Sequence, residues 1–196
     1  QNTLDATPWL DKFDLFGFDA CLMMSFSQAQ DYKDQAHYYI GSEAIEPGHG
    51  WSYSNLARTT GKHGAVLAFA EDIITKFTDH YLEINSNNGN QVHQKPKTLA
   101  VIDNSKFDAF ETAMNRLAQR MSDALDQGDH ELVRRVNYAR LNAKAFESAI
   151  DYVKKSACKG GVCAASLDIG SFLDNLKMMC GNGNLVPYID AAEAAY

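Results

Sequence analysis

The stretch from Lys12 to Glu43 constrains this chain most, because two short apolar segments flank a single helical one. Residues 12–21, KFDLFGFDAC, have the length and apolar density of a strand, with Gly17 the one weak point. MSFSQAQDYKDQ, Met24 to Gln35, reads as a helix, and AHYYIGSE, Ala36 to Glu43, as a second strand. Pro47, Gly48 and Gly50 then mark a loop. A strand, a helix and a strand with so little chain between them form most simply a right-handed parallel crossover. That unit commits the chain to a sheet with helices on its faces.

The remainder continues the alternation. Residues 64–84 carry Val66, Leu67, Phe69, Ile73, Ile74, Phe77 and Tyr81 at helical spacing. KTLAVID, Lys97 to Asp103, is a short strand. A long helix over 104–126 follows, with Asn104 or Ser105 as N-cap and Ala113, Leu117, Met121 and Leu125 as its apolar stripe. Residues 129–157 are helical again, and SLDIGSFLDNLKMMC, Ser166 to Cys180, is a short lead-in and another helix. The expected class is α/β with a mostly parallel sheet. Three strands are few for this many helices. Either strands escape the pattern or part of the sheet lies on another polypeptide.

Composition narrows the function classes. A chain of 196 residues is long enough for one sizeable core. Its net charge of −7 and lack of any Lys/Arg cluster argue against a nucleic-acid partner. RRVNYAR, Arg134 to Arg140, reads as a solvated helix face, since Asp129 and Glu131 precede it. No apolar run approaches the ~18 residues of a membrane span. The chain opens at Gln1 inside polar sequence, without an initiator Met or a signal peptide, which reads as a cleavage point.

The four cysteines are Cys21, Cys158, Cys163 and Cys180. Their spacing lacks the CxxC pairs of a zinc site, so no metal is expected from them. A local disulfide across CKGGVC, or a pairing with Cys180, stays open. Cys21 stands apart. On an extended segment Phe13, Leu15, Gly17, Asp19 and Cys21 share one face, which places Asp19 and Cys21 about 7 Å apart at the strand's C-terminal end. Ligands of open parallel α/β sheets bind at that end. A helix begins soon after, and a helix N-terminus favours a thiolate.

FDLFGFDACLM, followed by YYIGSEAIEPGHGW, resembles the clostripain family of cysteine endopeptidases, in the caspase-like clan. SLDIGSFLDNL resembles a later segment of the same proteins, and the similarity is strongest over residues 12–53. The resemblance implies a caspase-like three-layer α/β/α sandwich. Residues 1–60 would be the cysteine-bearing part of its core and 61–196 the rest of that single domain. It implies that Cys21 is the nucleophile and that its backbone N–H donates to the oxyanion. Asp19 would form part of an acidic pocket selecting Arg or Lys before the cut, with Gly41, Ser42, Glu43 and Trp51 lining the pocket or the substrate edge.

The family's catalytic histidine lies upstream of the cysteine, and all six histidines here follow Cys21. The resemblance therefore implies a heavy chain whose base and missing strands come from a light chain released by zymogen processing. His49 in PGHG is a weaker candidate base. The competing expectation is an inactive homologue that binds peptides or partners. No cofactor is expected. Some members use calcium, and Glu43 and Glu46 offer carboxylates, but no DxDxDG-like loop occurs, so calcium is left unassigned. The family is mostly exported, which implies an extracytoplasmic location.

Overall fold

The computed structural model describes residues 11–46, 50–53, 66–87, 98–146 and 166–196. They divide into two compact units, Gln1–Ser105 and Lys106–Tyr196.

In the first unit, β1 (Phe13–Gly17), α1 (Phe26–Tyr32) and β2 (Ala36–Gly41) realise the crossover, with β1 and β2 parallel and Leu15 level with Tyr38. Helix α2 (Val66–Asn87) and strand β3 (Ala100–Asp103) follow. The sheet order is β1-β2-β3. Strand β3 runs antiparallel to β2, with Tyr39 level with Ile102, so the sheet is mixed and not mostly parallel. A four-residue apolar strand carries no directional information in its own sequence.

Each face of the sheet carries a helix. Phe16, Phe18 and Tyr39 meet Tyr32 of α1, whose ring stacks on Tyr39 at 5.7 Å and 7°. On the other face, Leu15 and Ile40 pack with Phe69, Ile73 and Ile74 of α2, joined by Leu99 and Trp51. This two-sided burial explains why β2 is apolar at nearly every position, as strands covered on both faces are. Ser25 caps α1, its hydroxyl accepting from Gln28 N–H at 3.2 Å.

The second unit is helical: α3 (Asn104–Asp126, whose first two residues belong to the first unit), α4 (Glu131–Asn142), α5 (Ile169–Cys180) and α6 (Val186–Ala195). Leu117, Leu132, Leu173, Leu176 and Ile189 are fully buried in one cluster. Ala113 and Met121 pack against that cluster as the stripe predicts, while Leu125 is exposed and Met114 and Ala124 take part instead. The first turn of α3 is capped by Asp103, whose carboxylate accepts from Ser105 N–H at 3.0 Å. Asn104 instead donates its side-chain amide to Ala36 O at 2.9 Å, tying the start of the helix to β2. Asp168 caps α5. Helix α6 has no counterpart in the sequence reading. Its apolar residues follow no clean stripe, and Pro187 in its first turn was the available start signal. Cys180 is a buried free thiol, and Cys158 and Cys163 lie outside the described residues.

Candidate active site

Strand β1 ends at Gly17, four residues before the cysteine, so Asp19 and Cys21 stand on a turn and not on a strand face. The hydrophobic run continues to Cys21, but the backbone hydrogen bonds change partners. Phe18 N–H still donates to Ile40 O at 3.2 Å. Leu22 N–H then donates to Ala44 O at 3.1 Å and Met24 N–H to Ser42 O at 3.0 Å. The chain thus turns at Asp19–Leu22 and comes back along the extension of β2. Leu22 occupies the left-handed region at φ 63°, a costly conformation for a branched side chain, and the flanking hydrogen bonds hold it there. Gly41 permits the close approach: a Cβ there would meet the Met23 backbone at 3.2 Å.

Cys21 is exposed at the tip of this turn. Its sulfur accepts from Glu46 N–H at 3.3 Å and lies 3.9 Å from Glu46 O. Asp19 points into the loop beyond Glu46. Its Oδ2 accepts from Trp51 N–H at 3.0 Å and from the Tyr53 hydroxyl at 2.7 Å. Gly50 makes this contact possible. Its φ is 65°, and a Cβ there would lie 2.5 Å from Asp19 Oδ2, so only glycine fits.

Glu46 completes the cluster. It is buried, with 7% of its surface exposed. Trp51 Nε1 donates to its Oε1 at 3.4 Å. Burial and then the neighbouring Asp19 carboxyl push this carboxyl up to about 8, against the smaller opposing pull of the Trp51 indole. Glu46 therefore meets the thiol with its backbone and the Trp51 indole with its side chain.

The other residues singled out from sequence fall in two groups. Trp51 joins the cluster by two N–H donors while its ring packs with Ile40 and Ile73. Ser42 is fully buried, and its hydroxyl donates to Thr98 O at 2.6 Å, which pins the end of β2 to the start of β3. Gly41 and Ser42 thus shape the backbone beneath the turn. Glu43 is half-buried, its N–H donating to the Thr98 hydroxyl at 3.1 Å. Sequence reasoning passed over Tyr53 and gave Glu46 no part in the site. Two aromatic residues with polar handles, Trp51 and Tyr53, in a glycine-rich loop after an acid were the signal. His49 lies outside the described residues. Among the described residues, no three His, Cys, Asp or Glu side chains converge as a metal site would need. No described helix is long and apolar enough to cross a membrane.

Comparisons with known proteins identify a family and a shared fold. A family model described as the clostripain family matches residues 2–181. Among solved structures, a Bacteroides thetaiotaomicron clostripain in complex with a peptide inhibitor is 26% identical, with a TM-score of 0.45. The match covers 59% of this chain and 46% of that one, so this chain spans about half the length of that relative. A B. fragilis cysteine protease is 15% identical over 97% of this chain and 68% of its own, with a TM-score of 0.50. An inactive zymogen C11 protease from Parabacteroides distasonis is 17% identical over 99% of this chain and 44% of its own, also at 0.50. These last two show a shared fold. No curated protein matches the chain.

Proposed function

This chain belongs to the clostripain family, and on that premise we propose that it carries the nucleophile and substrate pocket of a cysteine endopeptidase cutting after Arg or Lys. The observation that carries this reading is the juxtaposition at the turn: an exposed thiol and, two residues before it, a carboxylate held in a walled loop. Cys21 as thiolate attacks the scissile carbonyl and forms an acyl-enzyme, and the backbone N–H of Cys21 donates to the developing oxyanion. Asp19 receives the basic side chain of the residue before the cut. Its desolvated carboxylate gains most from a guanidinium or ammonium partner. Glu43 and Trp51 border the same loop.

The general base is a histidine from a partner segment, a light chain separated from this one by processing. Two histidine side chains fall among the described residues. His37 lies on β2 at the end away from Cys21, and His130 precedes α4 in the second unit. Strands from the same partner would extend the sheet beyond β1 into the three-layer sandwich. The inactive zymogen among the structural neighbours suits this scheme.

The test is hydrolysis of Arg- and Lys-amidomethylcoumarin peptides by the intact protein, with Cys21→Ala beside it. The expected result is activity lost by at least about a thousandfold in the variant, and an irreversible peptide inhibitor attached at Cys21 by mass spectrometry. Activity surviving in Cys21→Ala removes Cys21 as nucleophile. Inactivity of both proteins leaves the inactive peptide-binding homologue as the reading.

A further inference from the structure

A cavity in the second unit shares no residue with the cysteine turn. It holds about 540 Å³ at one end of the helical unit, between the turn at 127–130 that joins α3 to α4 and the turn at 181–185 that joins α5 to α6. That is room for a small organic molecule. Its wall carries two guanidinium groups, Arg120 from α3 and Arg135 from α4, against one acid, Asp129. Arginine stays protonated in proteins. The other polar side chains of the wall are neutral: the amides of Gln127 and Asn184, and the Cys180 thiol, which burial pushes up. The wall is therefore positive, in a chain of net charge −7.

The acids beside these arginines are partly engaged elsewhere. Asp129 Oδ1 accepts from Leu132 N–H at 3.2 Å, in the first turn of α4. Asp123 Oδ1 accepts from the Gln119 amide at 2.8 Å, and its Oδ2 reaches Arg120 Nη1 only at 3.5 Å. Arg120 is left short of acceptors. Its Nε is buried and has no hydrogen-bond partner, which costs free energy. The guanidinium carbon lies over the Tyr188 ring, 5.4 Å from its centre. Stacking on an aromatic face holds the plane of a guanidinium and leaves its edge to acceptors. The side chain is 40% exposed, so that edge can be reached.

We propose that this cavity binds a small organic anion, whose carboxylate or phosphate group is shared by Arg120 and Arg135. Either group presents the paired oxygens that a guanidinium fork matches. A single oxyanion fills only a small part of such a space, so the ligand has a body besides its charged head. The Gln127 and Asn184 amides, each able to donate and accept, suit a polar body.

Citrate and pyrophosphate are titrated calorimetrically into the intact protein at pH 7, with sodium chloride holding the ionic strength constant. The expected result is saturable one-to-one binding of at least one of them, the tighter identifying the head group as carboxylate or phosphate. Affinity should fall by at least about tenfold in Arg135→Gln and in Arg120→Gln. Arg120→Lys keeps a cation over Tyr188 but loses the fork, and should bind between Arg120→Gln and the parent. Arg134→Gln is the control, because Arg134 is exposed, pairs with Glu131 and lies off the cavity wall. It should bind as the parent does. No saturable binding of either anion overturns the proposal. Equal weakening in Arg134→Gln overturns it too, by reducing the effect to general surface charge. Unchanged binding in both Arg120→Gln and Arg135→Gln places the anion elsewhere and does the same.

Discussion

The two units solve the problem of a stable interior with different materials. The second is held by Leu117, Leu132, Leu173, Leu176 and Ile189, all fully buried, and keeps its close ion pairs at the surface. The first packs an apolar sheet as well, but beside Cys21 it buries Glu46 and bends Leu22 into a left-handed conformation. Burying acids and straining backbone both cost free energy. A chain that could use leucine there and does not gives up stability at that turn. The contrast teaches where stability and function are separable: substitutions in the helical unit should act on folding, and substitutions at the turn should act on charge.

The largest effect belongs to the helical core. Leu176 has 0% of its surface exposed and sits among Leu132, Leu173 and Ile189. Leu176→Ala removes three carbons and leaves a cavity, at a cost of about 2–5 kcal/mol. Urea unfolding should show the midpoint fall by the corresponding amount at pH 5 and at pH 8 alike, since among the described residues the cluster and its packed neighbours hold no carboxylate or histidine. A loss that varied strongly between those pH values would break the division between the units.

The same contrast decides what was legible in the sequence. In α3 and α5 the apolar spacing is the structure: a stripe every three or four residues becomes the buried face, and Leu117, Leu173 and Leu176 are where periodicity places them. Strands β1 and β2 and their parallel pairing follow from the crossover for similar reasons. Around Cys21 the pattern misleads. FDLFGFDAC is apolar but for Asp14 and Asp19, yet the strand stops at Gly17 because the N–H groups of Leu22 and Met24 find carbonyls beyond the end of β2. That choice depends on the partner strand and leaves no local mark. The direction of β3 is hidden likewise. Ser42 illustrates the limit from another side: a hydroxyl beside a cleft and a hydroxyl pinning two strands are the same letter, and here it binds Thr98. Glu46 looks like any loop acid until Trp51 and Asp19 are seen around it.

A smaller effect, with a sign of its own, comes from the carboxyl pair. Glu46 titrates near 8 when folded against an ordinary value of 4.5. The folded state therefore binds more protons than the unfolded state between those limits. Its contribution to stability is fully present below about 4.5 and is lost as pH rises through about 8. Urea unfolding of the wild type and Glu46→Gln at pH 5, 6.5 and 8 should show the wild type losing stability relative to the variant at each step. Parallel curves would mean that the pair does not hold its proton, and the first unit would then be no more polar in its energetics than the second.

The smallest effect tests whether proximity alone makes a charge matter. Lys177 Nζ lies 2.8 Å from Asp190 Oδ1 and 2.6 Å from Glu193 Oε2, bridging α5 to α6. The hydrogen bonds to Asp190 and Glu193 raise the Lys177 ammonium well above its usual range. By distance this cluster is tighter than any contact Glu46 makes to a donor. By environment it is far weaker, because water solvates all three groups and side-chain entropy offsets the attraction. Lys177→Met should leave the urea midpoint almost where it was, and raising the salt concentration should erase what difference there is. Its alkyl stem keeps the packing, so the experiment isolates the charge. A clear loss of stability from Lys177→Met, larger than the change seen between pH 5 and 8 for Glu46, would show that solvent exposure is not what separates the two clusters. The acids beside Cys21 would then have to be set apart by their geometry alone.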